Sequence, residues 1–381
     1  MTSSVLIVQE HLPHYRVPFF RQLRKELSSR GATLGLIFGD QRASQYLVGD
    51  LDWAVPVPIS SLGRLRWHRQ TLRKALKADL VVAPQEIKYP VPLLMQLISG
   101  FAKMKFAYWG HGKNFQALDP DSVAERAKRF LSLRVDWWFA YNDLSARIVR
   151  NLGYPPERIT SVGNAIDTAS LIRRRESLEP RELERVRAEL GLRSQNVAVY
   201  TGGLYANKRL GFLLEAAQLI RKEIADFELI VIGEGPERGL VKAAAAEHPW
   251  IHEVGAKNDH EKVPYWALSK MLLMPGGVGL VILDSFALGV PMVTTDTYLH
   301  GPEIDYLKDG ENGLLVACGE SPGAYADAVV ELFRSPERLL RLGKAAGESA
   351  RHHSVEAMAR NFADGVMRAL ETPKLRVKGR F

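Results

Sequence analysis

Short uninterrupted apolar runs, each followed by a segment of helical spacing, recur along this chain and restrict what it can fold into. "SVLIVQ" (Ser4–Gln9) is a continuous β-branched run, "FFRQLRKEL" (Phe19–Leu27) places its apolar residues on a helical period, and "ATLGLIFG" after Gly31 is a strand again. "ADLVVAP" (Ala78–Pro84), "KFAYWGHG" (Lys105–Gly112) and "VDWWFAYND" (Val135–Asp143) extend the pattern, the last leading into the helical "LSARIVRNLG". Strands wetted on one face alternate apolar and polar residues. These do not, so both faces are covered and the sheet is parallel.

The alternation breaks after "ITSVGNAID", which ends at Asp167, and a highly charged stretch follows from Arg173 to Arg187. It restarts at Asn196 with "NVAVYTGGL", the helix "RLGFLLEAAQLIRKEI", "FELIVIGEGP" and "MLLMPGGVGL". This predicts an α/β protein of two doubly wound, Rossmann-like domains. The first spans residues 1–170, the second 196–350, and 171–195 reads as a linker or hinge carrying a helix. At 381 residues and 46% hydrophobic, the chain is long enough for two medium cores.

Several function classes fall away on composition. One cysteine, Cys318, makes no internal disulfide, and the start "MTSSVLIVQEHLPHYR" lacks the basic-then-apolar layout of a secretory signal, so a reducing cytoplasm is expected. The longest apolar run, Val91–Ala102, is short for a bilayer span and is followed by Lys103 and Lys105. The charge is lopsided: residues 1–113 hold 7 Lys and 9 Arg against 4 Asp and 3 Glu, net +9, while the whole chain carries +8. Within that third, "RLRWHRQTLRKALK" (Arg64–Lys77) reads equally as a helix resting on an anionic membrane surface and as a solvated helix face with a few buried leucines. No recognition helix, zinc spacing or aromatic RNA-binding signature accompanies the charge, so no nucleic-acid partner is expected.

In the second domain, three strand-to-helix turns carry glycines: Gly202 and Gly203, Gly233 and Gly235, then Gly276, Gly277 and Gly279. In doubly wound sheets, ligands bind beyond the carboxyl ends of the strands, where backbone N–H groups point outward at helix starts. Bare turns there let a ligand approach the backbone. Tight turns also need glycine on steric grounds alone, and that reading stays open. A dinucleotide site is disfavoured, because "VIGEGPERG" lacks the full spaced fingerprint and the first strand leads into a segment without glycine.

These segments together resemble a retaining family 4 glycosyltransferase of the GT-B fold. "YTGGLYANKRLGFLLEA" is similar to that family's Gly-Arg-Leu…Lys turn, and "VIGEGPER", containing Glu234, to its Gly-Asp-Gly-Pro turn. "PGGVGLVILDSFALGVPMVTT" is similar to its Glu-Gly-Phe-Gly…Glu-Ala…Gly-x-Pro-Val segment, and "GPEIDYLKDGENGLLV" (Gly301–Val316) to the stretch ending in Asn-Gly. In the first half "YWGHGKN" looks like the His-Gly loop and "ITSVGNAIDTASL" like the Asn-Gly-Ile-Asp stretch. The resemblance also implies that a helix within 351–381 crosses back to the first domain, ahead of a basic tail, and that ligand draws the domains together.

The departures are specific. The family's first Arg falls on Gly203, and its two carboxylates, separated by seven residues, fall on Gly276 and Asp284. What the resemblance implies is transfer, with retention, of a sugar from a nucleotide-sugar donor, with no metal or other cofactor. Lys208, with Arg209 as substitute, would neutralise the departing diphosphate; the amides of Gly277, Val278, Gly279 and Leu280 at a helix start would add dipoles; Asp284 would hold the ribose; and His111 would meet the donor sugar. Without the resemblance, His111 is a loop histidine, Lys208 a surface lysine and Asp284 a helix-capping carboxylate. The acceptor is expected against the first domain, where His11, His14, Tyr15 and Arg16 follow the first strand and Arg16 would meet an acceptor phosphate. A saccharide carried on a lipid, as in the assembly of bacterial surface polysaccharides or glycolipids, fits that basic domain, with the protein on the inner face of the membrane. The alternative is a degenerate GT-B scaffold that binds nucleotide or saccharide without transfer.

Overall fold

The computed structural model describes residues 2–39, 51–57, 60–62, 65–67, 69–85, 90–113, 123–297 and 299–375. The chain forms two compact units, residues 1–166 with 355–381 and residues 167–354.

The first unit is built on a seven-stranded, wholly parallel sheet. Its strands are β1 (Ser3–Gln9), β2 (Ala32–Phe38), β3 (Val55–Pro56), β6 (Leu80–Pro84), β7 (Lys105–Gly110), β8 (Trp137–Ala140) and β9 (Ile159–Ser161); the short pair β4 (Ser60–Leu62) and β5 (Leu65–Trp67) is an antiparallel ladder of its own. The order β3-β2-β1-β6-β7-β8-β9 reverses direction between β1 and β6. Among the described residues, five helices connect the strands: α1 (Val17–Ser29), α2 (Arg69–Ala75), α3 (Pro90–Ser99), α4 (Val123–Ser132) and α5 (Asp143–Asn151). Of the basic cluster, α2 lies within the described residues, whereas Arg64 and His68 lie outside them.

The continuous apolar runs are explained by burial: Ile7, Val81, Val82, Phe106, Trp138 and Phe139 are almost completely covered. One cover is the C-terminal helix, Val355–Glu371, which packs on α1 inside this unit. Its Phe362 stacks on Phe139 at 4.2 Å between centroids and meets Trp109 edge-on at 5.1 Å. The Lys105 ammonium donates to the carbonyls of Ala369 and Leu370 at the helix end, where carbonyls lack intrahelical donors and the dipole favours a cation.

The second unit repeats the plan with six parallel strands: β10 (Val197–Thr201), β11 (Glu228–Ile232), β12 (Ile251–Gly255), β13 (Met271–Met274), β14 (Met292–Thr295) and β15 (Gly313–Val316). Their order is β12-β11-β10-β13-β14-β15, so the reversal falls between β10 and β13. Its helices are α6 (Thr168–Glu176), α7 (Pro180–Leu190), α8 (Leu210–Glu223), α9 (Arg238–Glu247), α10 (Val263–Ala267), α11 (Val281–Leu288), α12 (Pro322–Phe333) and α13 (Pro336–Ser349). The stretch read as a linker is structured differently from that expectation. Residues 168–190 are the two helices α6 and α7, which pack on α11 and α10 and belong to the second unit. Their charged residues face water, while Leu171 and Val186 supply the buried contact.

Gly365 shows how tightly the C-terminal helix is seated. Replacing an interior helical glycine with alanine ordinarily stabilises by about 1 kcal/mol. Here an added Cβ would lie 2.4 Å from Thr160 Oγ1, which accepts the indole N–H of Trp137, and 2.8 Å from the Phe139 ring. Overpacking of this kind costs about 1–3 kcal/mol, so Gly365→Ala is expected to lower the midpoint of denaturant unfolding. A raised midpoint would refute the packing argument.

Candidate functional site

Where strand order reverses in a doubly wound sheet, neighbouring loops leave in opposite directions and open a crevice at the carboxyl ends of the strands. In the second unit that place lies between the loops after β10 and β13. The three glycine turns converge there by backbone contact. Gly202 N–H donates to Ile232 O at 3.0 Å and Leu204 N–H to Glu234 O at 2.9 Å, while Gly277 N–H donates to Asn207 O at 2.8 Å. A Cβ on Gly233 would sit 2.0 Å from Gly202 O, and one on Gly276 would sit 2.3 Å from the backbone carbon of Lys208. At these positions the glycines are bare so that loop can lie on loop. Gly279 differs from the rest of the third turn: a Cβ added there would meet nothing within 4 Å, and this is the glycine that suits approach by a ligand.

Lys208 ends a 3-10 turn, Ala206–Lys208, and its ammonium donates to the carbonyl of Gly277. This bond holds Lys208 against the third loop. Gly279 and Leu280 lie at the amino end of α11, where helical geometry leaves N–H groups without intrahelical acceptors. Burial lowers the Lys208 pKa, with the carboxylate of Glu303 acting in the opposite direction. A poorly solvated cation thus sits beside a helix start.

Arg209 follows in the left-handed region (φ 56°, ψ 47°), the one non-glycine residue with positive φ among the described residues. Such a conformation costs about 1 kcal/mol or more and persists where surroundings enforce it. The guanidinium supplies the enforcement: it meets Glu320 at 2.6 Å, Thr295 Oγ1 at 3.2 Å and Gly319 O at 3.3 Å, and lies over the Phe212 ring. These contacts make Arg209 a clamp on the loop.

His300, which sequence reasoning passed over, fixes the third loop from the other side. Val278 N–H donates to its Nδ1 at 3.1 Å, and its Nε2 lies 2.7 Å from Thr295 O. These contacts fit only the neutral Nε2–H tautomer, and burial together with the Lys208 charge lowers its pKa, although the Thr295 carbonyl opposes this. Glu303 is buried nearby. The sequence signal was the histidine-glycine pair directly before the "GPEIDYL" stretch, but the bond to Val278 joins residues far apart in the chain.

Asp284 lies in the first turn of α11 and is buried. Its Oδ1 is 2.8 Å from the equally buried ammonium of Lys262, which also meets Asp259 at 3.1 Å. Burial pushes the Asp284 carboxyl up and Lys262 pulls it back. One oxygen is therefore committed to an internal ion pair, and the expectation of an open ribose acceptor narrows to the other. Glu234 is exposed and pairs with Arg238 at 2.7 Å.

In the first unit the β1 and β7 loops carry a second cluster. His111 follows β7, its ring 4.2 Å from that of Tyr141, and burial, then the charges of Lys128 and Arg16, lower its pKa to about 4. It is neutral at pH 7. Arg16 is buried, with the guanidinium 5.3 Å from the Trp109 ring centroid, 5.4 Å from Tyr15 and 5.8 Å from Tyr141, donating to Met358 Sδ at 3.6 Å. Among the described residues no carboxylate pairs with it, and the buried indole N–H of Trp109 has no acceptor. Unmet buried donors are costly, so they mark a place where an acceptor group belongs. His11 is exposed beside Glu10, and His14 is exposed with its ring edge-on to Tyr15.

Comparison with known proteins agrees with this geometry. The family described as glycosyl transferases group 1 matches residues 195–335, which hold all three glycine turns. The phosphatidyl-myo-inositol mannosyltransferase of Mycobacterium leprae is 30% identical over 176 residues, covering 45% of this chain and 45% of that protein; the chain thus spans under half the length of this curated relative. Over nearly the whole chain, the crystal structure of Anabaena HepE in complex with UDP-glucose superposes with a TM-score of 0.73 at 16% identity, covering 96% of this chain and 99% of that one. UDP-GlcNAc 2-epimerase from Neisseria meningitidis, bound to UDP-GlcNAc, superposes with a TM-score of 0.65 at 15% identity, covering 96% and 99%. Identities this low speak for the fold alone, and an epimerase shares it with glycosyltransferases. The fold is thus the two-domain GT-B architecture, and within the second unit residues 195–335 are similar to glycosyl transferases group 1.

Proposed function

We propose that the protein is a glycosyltransferase that moves a sugar from a nucleotide-sugar donor to a saccharide acceptor with retention at the anomeric carbon. The observation that carries this reading is the Lys208 ammonium against Gly277 O at the amino end of α11, beside the reversal of strand order. As the sugar–oxygen bond breaks, negative charge grows on the departing diphosphate, and prearranged donors that meet it supply the largest part of catalysis. In the free protein Lys208 holds a carbonyl. Exchange of that neutral acceptor for a diphosphate gives a buried cation its counter-charge, and the Gly279 and Leu280 amides add the helix dipole. The second oxygen of Asp284 accepts from the ribose, and neutral His111 hydrogen-bonds the donor sugar.

The acceptor binds the first unit at His11, His14 and Tyr15, with the buried Arg16 cation drawing a phosphate. A lipid-linked saccharide in bacterial surface polysaccharide or glycolipid assembly suits this, with α2 of the basic cluster against the inner face of an anionic membrane. The second reading, a scaffold without transfer, is favoured by Gly276, which has no carboxylate, and by the Asp284–Lys262 pair. Diphosphate release from UDP-, GDP- and dTDP-sugars in the presence of acceptor extract separates the two: background rates with every donor establish the scaffold.

Two variants test the site. Lys208→Ala removes a charge whose contribution grows toward the transition state, so turnover is expected to fall by about 10²-fold or more with a smaller change in donor affinity. Asp284→Asn is expected to weaken donor binding and also to lower the melting temperature, because Lys262 loses its buried counter-charge and keeps only the more exposed Asp259. Unchanged turnover in Lys208→Ala would sink the diphosphate assignment.

Gly276 offers a third. Restoring the family's carboxylate with Gly276→Glu forces a Cβ into the Lys208 backbone. Both this variant and Gly276→Ala are expected to lose about 1–3 kcal/mol of stability and to weaken nucleotide binding, measured by thermal unfolding and calorimetry. A gain of activity in Gly276→Glu would show that the turn can yield.

A further inference from the structure

At the opposite end of the second sheet from the glycine turns, a groove of about 480 Å³ opens beside the residues that lead into β13 and β14. Its volume lies within the range of sites that enclose a drug-sized ligand, about 300–1,000 Å³. Phe333 forms its floor, and Leu340, 77% exposed, forms a wall. The notch between them exists because α13 approaches the end of α11 closely: a Cβ on Gly343 would stand 2.8 Å from Gly289 O.

Three cations ring this apolar surface, Arg175 from α6, Lys270 ahead of β13 and Lys344 from α13, and no carboxylate is among the lining residues. Neighbouring arginines that point elsewhere are paired: Arg174 with Glu182, Arg334 with Glu223 at 2.9 Å and Arg338 with Glu331 at 2.5 Å. Among the described residues, the cations of the groove make no ion pair. Lys270 donates only to Asn196 Oδ1 at 2.8 Å, with its ammonium 5.8 Å from the Phe333 ring centroid. Leaving three like charges together repels, and leaving a leucine bare forgoes the gain of burying it. One ligand relieves both.

That ligand has an apolar body and a compact, multiply charged anionic end. A phosphate monoester carries about 1.5–2 negative charges near neutral pH, which answers three cations better than a carboxylate does. Apart from the three cations, the lining offers no polar side chain to read a nucleobase. We propose that the groove binds one molecule of an alkyl phosphate, with the chain on Phe333 and Leu340 and the phosphate among Arg175, Lys270 and Lys344. The site is separate from the donor loops and does not depend on the proposed transfer reaction.

Calorimetric titration of the full chain with decyl phosphate, kept below its micelle concentration, tests this. One saturable site is expected, with inorganic phosphate and decanol each binding far more weakly. Lys344→Glu and Leu340→Asp change solvent-facing side chains and are expected to preserve the melting temperature while each weakens decyl phosphate binding by about tenfold or more, close to 1.4 kcal/mol. Nucleotide binding is expected to stay as in the parent protein. The proposal is overturned if decyl phosphate shows no saturable site, if both variants bind like the parent, or if inorganic phosphate binds equally well. It is also overturned if the groove instead mediates self-association that these variants abolish, or takes up phosphatidylglycerol vesicles but not the monomer.

Discussion

The candidate donor site depends on backbone lying directly on backbone. Three loops leave the carboxyl ends of β10, β11 and β13, and each is held by amide hydrogen bonds to another at distances that exclude side chains at Gly233 and Gly276. Glycine in such loops carries an entropic cost, because the unfolded chain loses more freedom there. The return is rigidity: polar groups that would otherwise need water satisfy one another, and the turns have few alternative arrangements. The helix behind the third loop is buried along most of its length, so its amino end is anchored where a ligand would meet it.

Onto this frame the charged groups are fitted with little slack. Arg209 holds a left-handed conformation between the turn that carries Lys208 and the start of α8. Its guanidinium ties that corner to β14 through Thr295. His300 ties the same strand to Val278. Thr295 itself donates to Pro275 O at 2.7 Å, so β14 reaches the third loop by two routes, directly from the Thr295 hydroxyl and by way of His300. A mechanical link therefore joins Lys208 to the loop it would work with, and the chemistry of the site rests on residues that touch no ligand themselves.

The strands were legible in the sequence because their apolar runs are short, rich in β-branched and aromatic residues and alternate with segments of helical spacing; an apolar run alone marks a buried helix equally well, as in α3 and α11. The turns were legible too, as glycines at strand ends. Their reason was only half visible, since backbone approach by a ligand and by another loop make the same demand on sequence. The α6–α7 segment was misread because helices with one buried face and many charges look like linker when their single rows of Leu171 and Val186 are not recognised as a seam. The burial of Arg16 was not legible, because Trp109, Tyr141 and Met358, which pack around it, come from distant parts of the sequence. His300 and Lys262 act through partners distant in sequence, and no local pattern announces such a bond.

The two units leave their charges in different states, and this bears on how each meets a ligand. In the second unit the buried carboxylate Asp284 already has Lys262 as its counter-charge on Oδ1, so a ligand meeting its other oxygen relieves no unpaired charge. In the first unit the buried Arg16 has aromatic faces and a thioether, contacts that stabilise a cation only weakly compared with an anion. An anion arriving beside Arg16 replaces nothing of comparable strength. Electrostatic gain per contact is therefore greater in the first unit, while geometric definition is greater in the second, where the loops are already fixed. That division suits a protein that reads one ligand by shape and draws another by charge.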